Sequence, residues 1–405
     1  MPTKRSADDR RRGGRGSIER NMRTLRESVA QIDGEILDLV AKRLLLARRI
    51  GRVKRDHGLP VQDFQIERQV VERNRSRAER LGLASPLVDE VTRLLIEHAT
   101  RVQDADRRLL VQEPSAAGER ILVVGGLGGM GRWLARFFSS LGHSVTVLDR
   151  PGVRTRTEFP RAQDLARAAV EHSVVALATP IAATAPILDR IVRTGTSALI
   201  FDVCSLKQPV RRSIDSALAK GLRVASIHPM FGPDADVLAG RNVLLCRTQG
   251  ADHSIVAGRF FEQTTAALVS IPIERHDELM SYVLGLSHLT SLVFARALAT
   301  SGLSYETLSA AGSTTFASQT RVSRSVSAEN QDLYFEIQTE STATPILLRS
   351  FSSALEAFAT AIRRKDRRRF KSLMDSTRAY FELGSSIRGR SRSKRPARPS
   401  GGRDA

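Results

Sequence analysis

The chain has 405 residues, 41% of them hydrophobic, and a formal net charge of +20. It is too long for one hydrophobic core, so we expect two or three globular domains. The basic N-terminus lacks the apolar stretch of a signal peptide, and no run of about 18 apolar residues is evident, so the sequence predicts neither export nor a membrane span. Two cysteines cannot form a disulfide framework, which favours the cytoplasm.

Much of the positive charge lies at the two ends of the chain. Residues 1–17 and 386–405 are rich in arginine, glycine and serine, and we expect both to be disordered basic tails. Solubilising tails are one interpretation, and non-specific contact with nucleic acid is the other. With four tyrosines and one tryptophan in the chain, stacking platforms for single strands are not expected.

The first 110 residues show helical periodicity. An apolar seam with alternating steps of four and three residues runs from Leu25 to Val53 and predicts a helix of about 35–40 residues. Two further helical patterns cover residues 63–81 and 85–110. One small domain cannot cover so long a helix, so the pattern predicts an intertwined homodimer.

The pattern changes after a linker at residues 113–118. Short buried strands then alternate with helices, which predicts an α/β Rossmann domain with a parallel sheet over residues 119–273. Helical sequence continues over residues 274–385. The expected fold is therefore an all-α three-helix domain at 18–112, the Rossmann domain, and an all-α helical domain.

A glycine-rich turn follows the first strand of the Rossmann pattern. Three glycines fit G-x-G-x-x-G, and they give a tight turn, close approach to a pyrophosphate and close helix packing: Gly126, Gly128 and Gly131. Asp149 ends the next strand, 23 residues after Gly126, where a carboxylate accepts the ribose hydroxyls of NAD. Arg150 could neutralise the 2′-phosphate of NADP, but Asp149 would repel it, so the sequence favours NAD.

A histidine follows the fifth predicted strand, at the edge where open α/β sheets bind ligands. Near neutral pH, His228 could accept a proton from a hydroxyl while hydride leaves the same carbon. A structural histidine in a Pro–Gly turn is the alternative interpretation.

Four short segments resemble the prephenate dehydrogenases, over about residues 119–384: 228–233 (HPMFGP), 202–207 (DVCSLK), 274–277 (ERHD) and 286–289 (LSHL). The resemblance implies that His228 accepts the proton of the prephenate ring hydroxyl as hydride passes to the nicotinamide, with loss of CO2 to give 4-hydroxyphenylpyruvate. It also implies that Ser205 holds His228 or the hydroxyl, and that His288 lies near the substrate.

The same family binds a substrate carboxylate with an arginine that precedes an aromatic residue. Arg324, which precedes Tyr334, is the candidate for binding the substrate carboxylate in this chain, and Arg321 is the alternative. Many members also carry a second histidine where this chain has Ser291, so the resemblance does not extend to that contact. The resemblance assigns no definite role to His276.

The long N-terminal helix carries cations on its apolar side. Arg43 occupies a seam position, Lys54 follows eleven residues later on the same face, and Arg26 lies near the start. A charge in an apolar seam needs a partner, although Arg43 could instead extend to water. Cations of this kind could bind the carboxylates of an anionic substrate and hold it in a compact transition state.

The segments around these cations resemble the all-helical chorismate mutases over residues 18–112. The resemblance implies that Arg43 and Lys54 bind the substrate and that Arg26 reaches in from the other subunit. It implies that Glu67 and Gln103 contact the hydroxyl and ether ends of chorismate, and that Asp63 is a further position that binds the substrate. Two family residues are replaced, by Ile66 and Ala99.

The two resemblances together imply two activities of tyrosine biosynthesis, chorismate to prephenate and NAD-dependent oxidation of prephenate, with small-molecule substrates and no metal. Three alternatives stay open. The dehydrogenase could prefer arogenate, or the scaffold could be degenerate and serve a regulatory or nucleic-acid-binding role. A β-hydroxyacid dehydrogenase would need a catalytic lysine, and the sequence around Lys207 does not suit it.

Overall fold

The computed structural model describes residues 5–57, 63–104, 118–235, 237–249 and 252–392. The chain divides into two compact units, Met1–Asp277 and Glu278–Ala405. Among the described residues, the first unit contains three N-terminal helices and a seven-stranded sheet with its helices, and the second contains helices. This order of elements confirms the fold class predicted from the sequence.

Three helices begin the chain: α1 (Arg5–Asp56), α2 (Phe64–Leu81) and α3 (Ser85–Asp104). Helix α2 starts after Asp63, whose carboxylate accepts a hydrogen bond from the Ile66 amide at 3.1 Å. It stops at Gly82, whose left-handed φ of +66° suits glycine. The apolar seam of α1 is exposed in the single chain, at Leu25, Val29, Ile32, Ile36, Leu39, Leu46, Ile50 and Val53.

Both predicted tails differ from the structure where it describes them. Helix α1 already begins at Arg5, and the last helix of the chain reaches Arg392, so residues 5–17 and 386–392 are helical and not disordered. Once a helix is nucleated, each further residue adds a hydrogen bond, and arginine is a good helix former. Residues 1–4 and 393–405 lie outside the described residues.

The sheet and its helices follow. The strands are β1 (Arg120–Val124), β2 (Ser144–Leu148), β3 (Val174–Leu177), β4 (Leu199–Asp202), β5 (Val224–Pro229), β6 (Asn242–Arg247) and β7 (Ala267–Pro272). The helices are α4 (Gly129–Ser140), α5 (Leu165–Glu171), α6 (Ile181–Val192), α7 (Gln208–Ala219) and α8 (Ser254–Glu262).

The strand order is β2-β1-β3-β4-β5-β6-β7. Strands β1 to β5 are parallel, as the sequence predicts. Strand β6 pairs antiparallel with β5, and β7 runs parallel to β6; neither is among the strands predicted from the sequence. Because β6 covers the far side of β5, His228 pairs in register with Leu244 inside the sheet.

A cluster of aromatic side chains forms the core beside the sheet. Phe137 of α4 stacks on Phe261 of α8, with ring centroids 4.7 Å apart, and it also stacks on Trp133 at 5.1 Å. Phe64 of α2 belongs to the same buried cluster. One N-terminal helix therefore shares a hydrophobic core with the sheet domain.

The last helices are α9 (Ile273–Met280), α10 (Ser287–Ala299), α11 (Tyr305–Ala310), α12 (Thr314–Ser327), α13 (Gln331–Thr339), α14 (Thr344–Arg363) and α15 (Arg367–Arg392). A π-helical turn, Ser281–Leu286, joins α9 to α10. The continuous helix Ile273–Ala299 is the one described segment that is long and apolar enough to cross a membrane. No such segment is predicted from the sequence, but the charged residues of this helix are confined to its ends. Only 11% of its apolar window is buried in the single chain.

Candidate active sites

The glycine-rich turn between β1 and α4 has no room for side chains at two of its three predicted glycines. A Cβ on Gly131 would lie 2.1 Å from the Gly125 carbonyl oxygen, and one on Gly126 would lie 2.6 Å from Val147. A Cβ on Gly128 would meet only the Gly125 oxygen, at 3.3 Å. Gly128 is thus the position with space above the backbone, which suits the close approach of a pyrophosphate at the start of α4.

Two further residues complete this turn. Asp149 accepts a hydrogen bond from the Leu127 amide at 3.0 Å, so its carboxylate lies directly beside the turn. Gly125, which the sequence analysis did not single out, has a φ of +79°, and a Cβ there would lie 2.4 Å from the Ala178 oxygen. The backbone and the carboxylate therefore fit a dinucleotide, with the phosphates at the turn and the ribose at Asp149.

His228 lies at the carboxyl end of β5 and is only 4% exposed. Its Nδ1 lies 3.0 Å from Nε2 of His276, and Nδ1 of His276 lies 2.6 Å from Asp277 Oδ1. The carboxylate can only accept, so His276 carries its proton on Nδ1 and accepts at Nε2. His228 must then carry its proton on Nδ1, which leaves its Nε2 as a base.

Asp277 is held as a carboxylate by the start of α7. The amides of Lys207 and Gln208 both donate to it at 2.7 Å. Burial acts to raise the pKa of Asp277, but the hydrogen bonds from His276 and these two amides outweigh it, and the pKa lies below its usual value. Burial, with smaller contributions from His276 and Lys207, places the pKa of His228 well below 6.5. His228 is therefore a neutral base at physiological pH.

A buried ion pair lies beneath His228. Lys207, 1% exposed, donates from Nζ to Asp202 Oδ1 at 2.7 Å and to the Ile227 oxygen at 2.8 Å. Burial acts to lower the pKa of Lys207, but the Asp202 carboxylate raises it above its ordinary value, so Lys207 stays charged. The pair ties the end of β4 to the residue that precedes His228.

Ser205 was expected to hold either His228 or the substrate hydroxyl. The polar partner of the His228 ring is His276, and within residues 118–235 and 252–277 no hydrogen bond joins Ser205 to that ring. His276 and Asp277 were not among the predicted site residues, although both lie in the segment ERHD. The signal for them was that segment, together with DVCSLK, which supplies Asp202 and Lys207.

In the second unit, His288 on α10 stacks on Tyr334 of α13, with ring centroids 4.2 Å apart. Burial lowers the pKa of His288 to about 4, and its Nδ1 is buried with no hydrogen-bond partner in the described part of the chain. Arg324, at the end of α12, lies 5.7 Å from the ring centroid of Tyr305. Arg324 and Arg321 are both exposed. The structure thus joins His288 to Tyr334 and gives Arg324 an aromatic support.

The predicted mutase cations lie along α1. Arg43 is half-buried and donates from Nη1 to the Leu95 oxygen of α3. Burial, followed by the charge of Arg73, lowers its pKa. Lys54 is also half-buried; burial lowers its pKa, and Asp63 acts to raise it. Arg26 is exposed on the same helix, so the single chain does not bring it to Arg43.

Two further mutase candidates remain. The side chain of Gln103 lies outside the described residues. Glu67, on α2, is 6% exposed and faces the sheet domain. It accepts hydrogen bonds from the amides of Leu238 and Ala239 at 3.1 and 3.0 Å, and from the Thr265 hydroxyl. Burial raises its pKa, against the effect of these hydrogen bonds.

Comparison with known proteins agrees with this arrangement of domains and sites. The family model for type II chorismate mutase matches residues 25–104. The models for the nucleotide-binding and dimerization domains of prephenate dehydrogenase match residues 131–273 and 272–376. Two curated relatives are T-proteins. The one from Enterobacter agglomerans is 26% identical over 88% of this chain and 92% of its own length, and the one from Haemophilus influenzae is 24% identical over 89% and 92%.

Among solved structures, prephenate dehydrogenase from A. aeolicus, in complex with hydroxyphenyl propionate and NAD+, matches with a TM-score of 0.53 and 19% identity, over 66% of this chain and 99% of that one. This likeness shows the fold of the Rossmann and helical domains.

Fold and sites together define a helical mutase joined to a Rossmann dehydrogenase. The chain belongs to the bifunctional chorismate mutase/prephenate dehydrogenase family. It carries both enzyme activities, in tyrosine biosynthesis, and acts on small molecules as a homodimer. The dimerization-domain match includes the exposed apolar helix Ile273–Ala299, so a subunit contact accounts for that surface better than a membrane does.

Proposed function

We propose that His228 is the general base of prephenate oxidation. The main support for this proposal is the buried series of hydrogen bonds from Asp277 through His276 to His228. These bonds fix the tautomer that leaves Nε2 of His228 unprotonated. Nε2 accepts the proton of the prephenate hydroxyl as the carbon that bears it is oxidised. The Lys207–Asp202 pair holds the strand end on which His228 stands.

The cofactor is NAD. When bound, it accepts the hydride from prephenate. Gly128 lets the backbone approach the pyrophosphate, Gly126 and Gly131 allow the tight turn and the close packing of α4, and Asp149 accepts the ribose hydroxyls. An acidic group beside the turn also disfavours the 2′-phosphate of NADP, which supports the preference for NAD.

The remaining dehydrogenase assignments concern the substrate. His288, whose ring is supported by Tyr334, donates or accepts a hydrogen bond at the substrate as a neutral imidazole. Arg324 binds a substrate carboxylate, with Arg321 as the alternative. Ser205 serves the substrate hydroxyl, since His228 already has His276 as its polar partner.

For the mutase, Arg43 and Lys54 bind the carboxylates of chorismate. Their partial burial strengthens the attraction to a bound anion. Arg26 comes from the second subunit, because 17 residues of one helix place it about 25 Å from Arg43 along the axis. Gln103 serves the ether oxygen, and Asp63 is a further position that binds the substrate. The protein works in the cytoplasm, and its basic ends contact nucleic acid only non-specifically.

A coupled assay tests this proposal. The full-length protein, incubated with chorismate and NAD, should produce NADH and 4-hydroxyphenylpyruvate together. His228→Asn should lower dehydrogenase turnover by about 10²–10⁴-fold, the range for a lost general base, and should spare NAD binding and mutase activity. Equal loss of all three would assign His228 a folding role. Faster oxidation of arogenate than of prephenate would change the substrate of the second step.

A further inference from the structure

Helix α2 of the mutase domain packs on the dehydrogenase. Its buried positions Phe64, Glu67 and Val71 lie three and four residues apart and so share one face. Phe64 lies 5.3 Å from Phe137 between ring centroids, and Glu67 bonds to donors of the sheet domain. This face therefore belongs to a domain contact that was not predicted from the sequence.

The contact converges on the loop between β5 and β6, described at residues 230–235 and 237–241. Leu238 and Ala239, whose amides bond to Glu67, belong to this loop. Earlier in the loop, the carbonyl oxygen of Ala235 accepts a hydrogen bond at 2.9 Å from the indole of Trp133. The ring centroid of Trp133 lies 6.1 Å from that of Phe64. Helix α2 thus holds the loop directly through Glu67 and indirectly through Trp133.

The same loop contacts both parts of the dehydrogenase site. It begins immediately after the strand that carries His228. Its Pro233 ring lies so close to Gly129 that a Cβ there would be 3.1 Å from Cγ. Gly129 is the first residue of α4, next to the nucleotide turn. The loop is therefore placed to set the distance between His228 and the nucleotide turn.

The Glu67 carboxylate has two distinct oxygens. All three donors from the dehydrogenase, the two amides and the Thr265 hydroxyl, bond to Oε1. None of the hydrogen bonds among the described residues uses Oε2. One oxygen is anchored in the dehydrogenase, and the other has no hydrogen-bond partner among the described residues. The family resemblance gives Glu67 a role with chorismate.

We propose that Glu67 is shared by the two enzymes: through Oε1 it positions the β5–β6 loop of the dehydrogenase, and the dehydrogenase in turn holds Oε2 in place for the mutase substrate. This inference rests on the proposed assignments of His228 and of the mutase site. It makes Glu67 a positioning residue for the dehydrogenase, and it couples the two activities through one side chain.

Two substitutions at Glu67 separate its oxygens. In Glu67→Gln the amide oxygen must face the two backbone N–H groups, since its NH2 group would clash with them, so the dehydrogenase should keep its kcat/KM within about twofold while the mutase loses activity. In Glu67→Ala both activities should fall, the dehydrogenase by about tenfold, because two buried N–H groups lose their acceptor. Glu79→Ala, on an exposed position of the same helix, is the matched control.

Thr265→Val tests the coupling from the other domain. It removes one donor to Oε1 at a residue outside the mutase, and it should lower mutase kcat/KM about threefold to tenfold, the effect of one typical lost hydrogen bond. Amide exchange at Leu238 and Ala239 should quicken in Glu67→Ala and stay unchanged in Glu79→Ala. This exchange measurement does not depend on activity.

The outcomes are distinct. If the wild-type protein does not oxidise prephenate, the proposed function fails. If it does, but Glu67→Ala leaves dehydrogenase kinetics and amide exchange as in the wild type, the inference fails. Unchanged mutase kinetics in Thr265→Val would also overturn it. Should Glu67→Ala not fold, Glu67→Gln and Thr265→Val still decide, because both keep the shape of the contact.

Discussion

Asp277→Leu is the sharpest test of the buried histidine chain. Oδ1 of Asp277 accepts from both the Lys207 amide and His276, and Oδ2 accepts from the Gln208 amide. An asparagine could keep its oxygen at the Oδ1 position and leave the chain unchanged, whereas leucine has a similar size and no acceptor. The proton on Nδ1 of His276 would then lose its acceptor. His276 would have to move its proton to Nε2 and donate to His228, whose own proton would shift to the catalytic nitrogen.

The size of the effect follows from burial. The His276 side chain is fully buried and His228 is 4% exposed, so water cannot relieve the inverted chain. A base in the wrong tautomer should lower kcat by about 10²–10⁴-fold, or ~2.7–5.5 kcal/mol at 1.36 kcal/mol per tenfold. Binding of NAD should not change, because none of the hydrogen bonds among the described residues joins Asp277 to the nucleotide turn.

The assay is NADH formation from prephenate across pH, with NAD binding measured by calorimetry. Glu274→Leu is the matched control, since Glu274 is an exposed carboxylate three residues before Asp277, where it pairs with Arg211. In the wild type, lower pH should protonate His228 and stop the reaction only well below pH 6.5, because burial depresses the pKa of His228. A kcat for Asp277→Leu within threefold of wild type would refute the tautomer assignment.

Three other predictions follow from the sites. Asp149→Ala should weaken NAD binding and improve the relative use of NADP, as Arg150 would be left beside the ribose; an unmoved cofactor preference would remove Asp149 from that position. Arg26→Ala and Arg43→Ala should each lack mutase activity and regain it when refolded together as mixed dimers, unless each site is built from one chain. Truncation to residues 18–385 should keep both activities and bind heparin more weakly, and loss of either activity would give the ends a structural role.

Periodic and local features of the fold could be predicted from the sequence. The seam of α1, the helical pattern of residues 63–81 and the five parallel strands are all set by nearby residues. Strands β6 and β7 were missed because the first pairs antiparallel and the second is largely exposed, so neither fits the alternation of buried strands and helices that predicts parallel units.

The site residues also fall into those that could be predicted from the sequence and those that could not. The glycine turn, Asp149 and His228 could be predicted because each lies at or just after the end of a predicted strand. The role of His276 could not be read from its segment, because it depends on a ring 48 residues away in the chain. Glu67 was assigned to one enzyme alone since its second set of partners, at Leu238, Ala239 and Thr265, comes together only in the folded first unit.

The place of Phe64 in the aromatic core has a consequence for synthesis of the chain. Phe64 leaves the ribosome about 70 residues before Trp133 and Phe137, so during translation its ring has no partner until α4 is made. If the chain were divided at the linker of residues 113–118, the dehydrogenase half would lack Phe64. One side of its aromatic core would then be uncovered. The linker separates the two enzymes in sequence, but it is not where their hydrophobic cores divide.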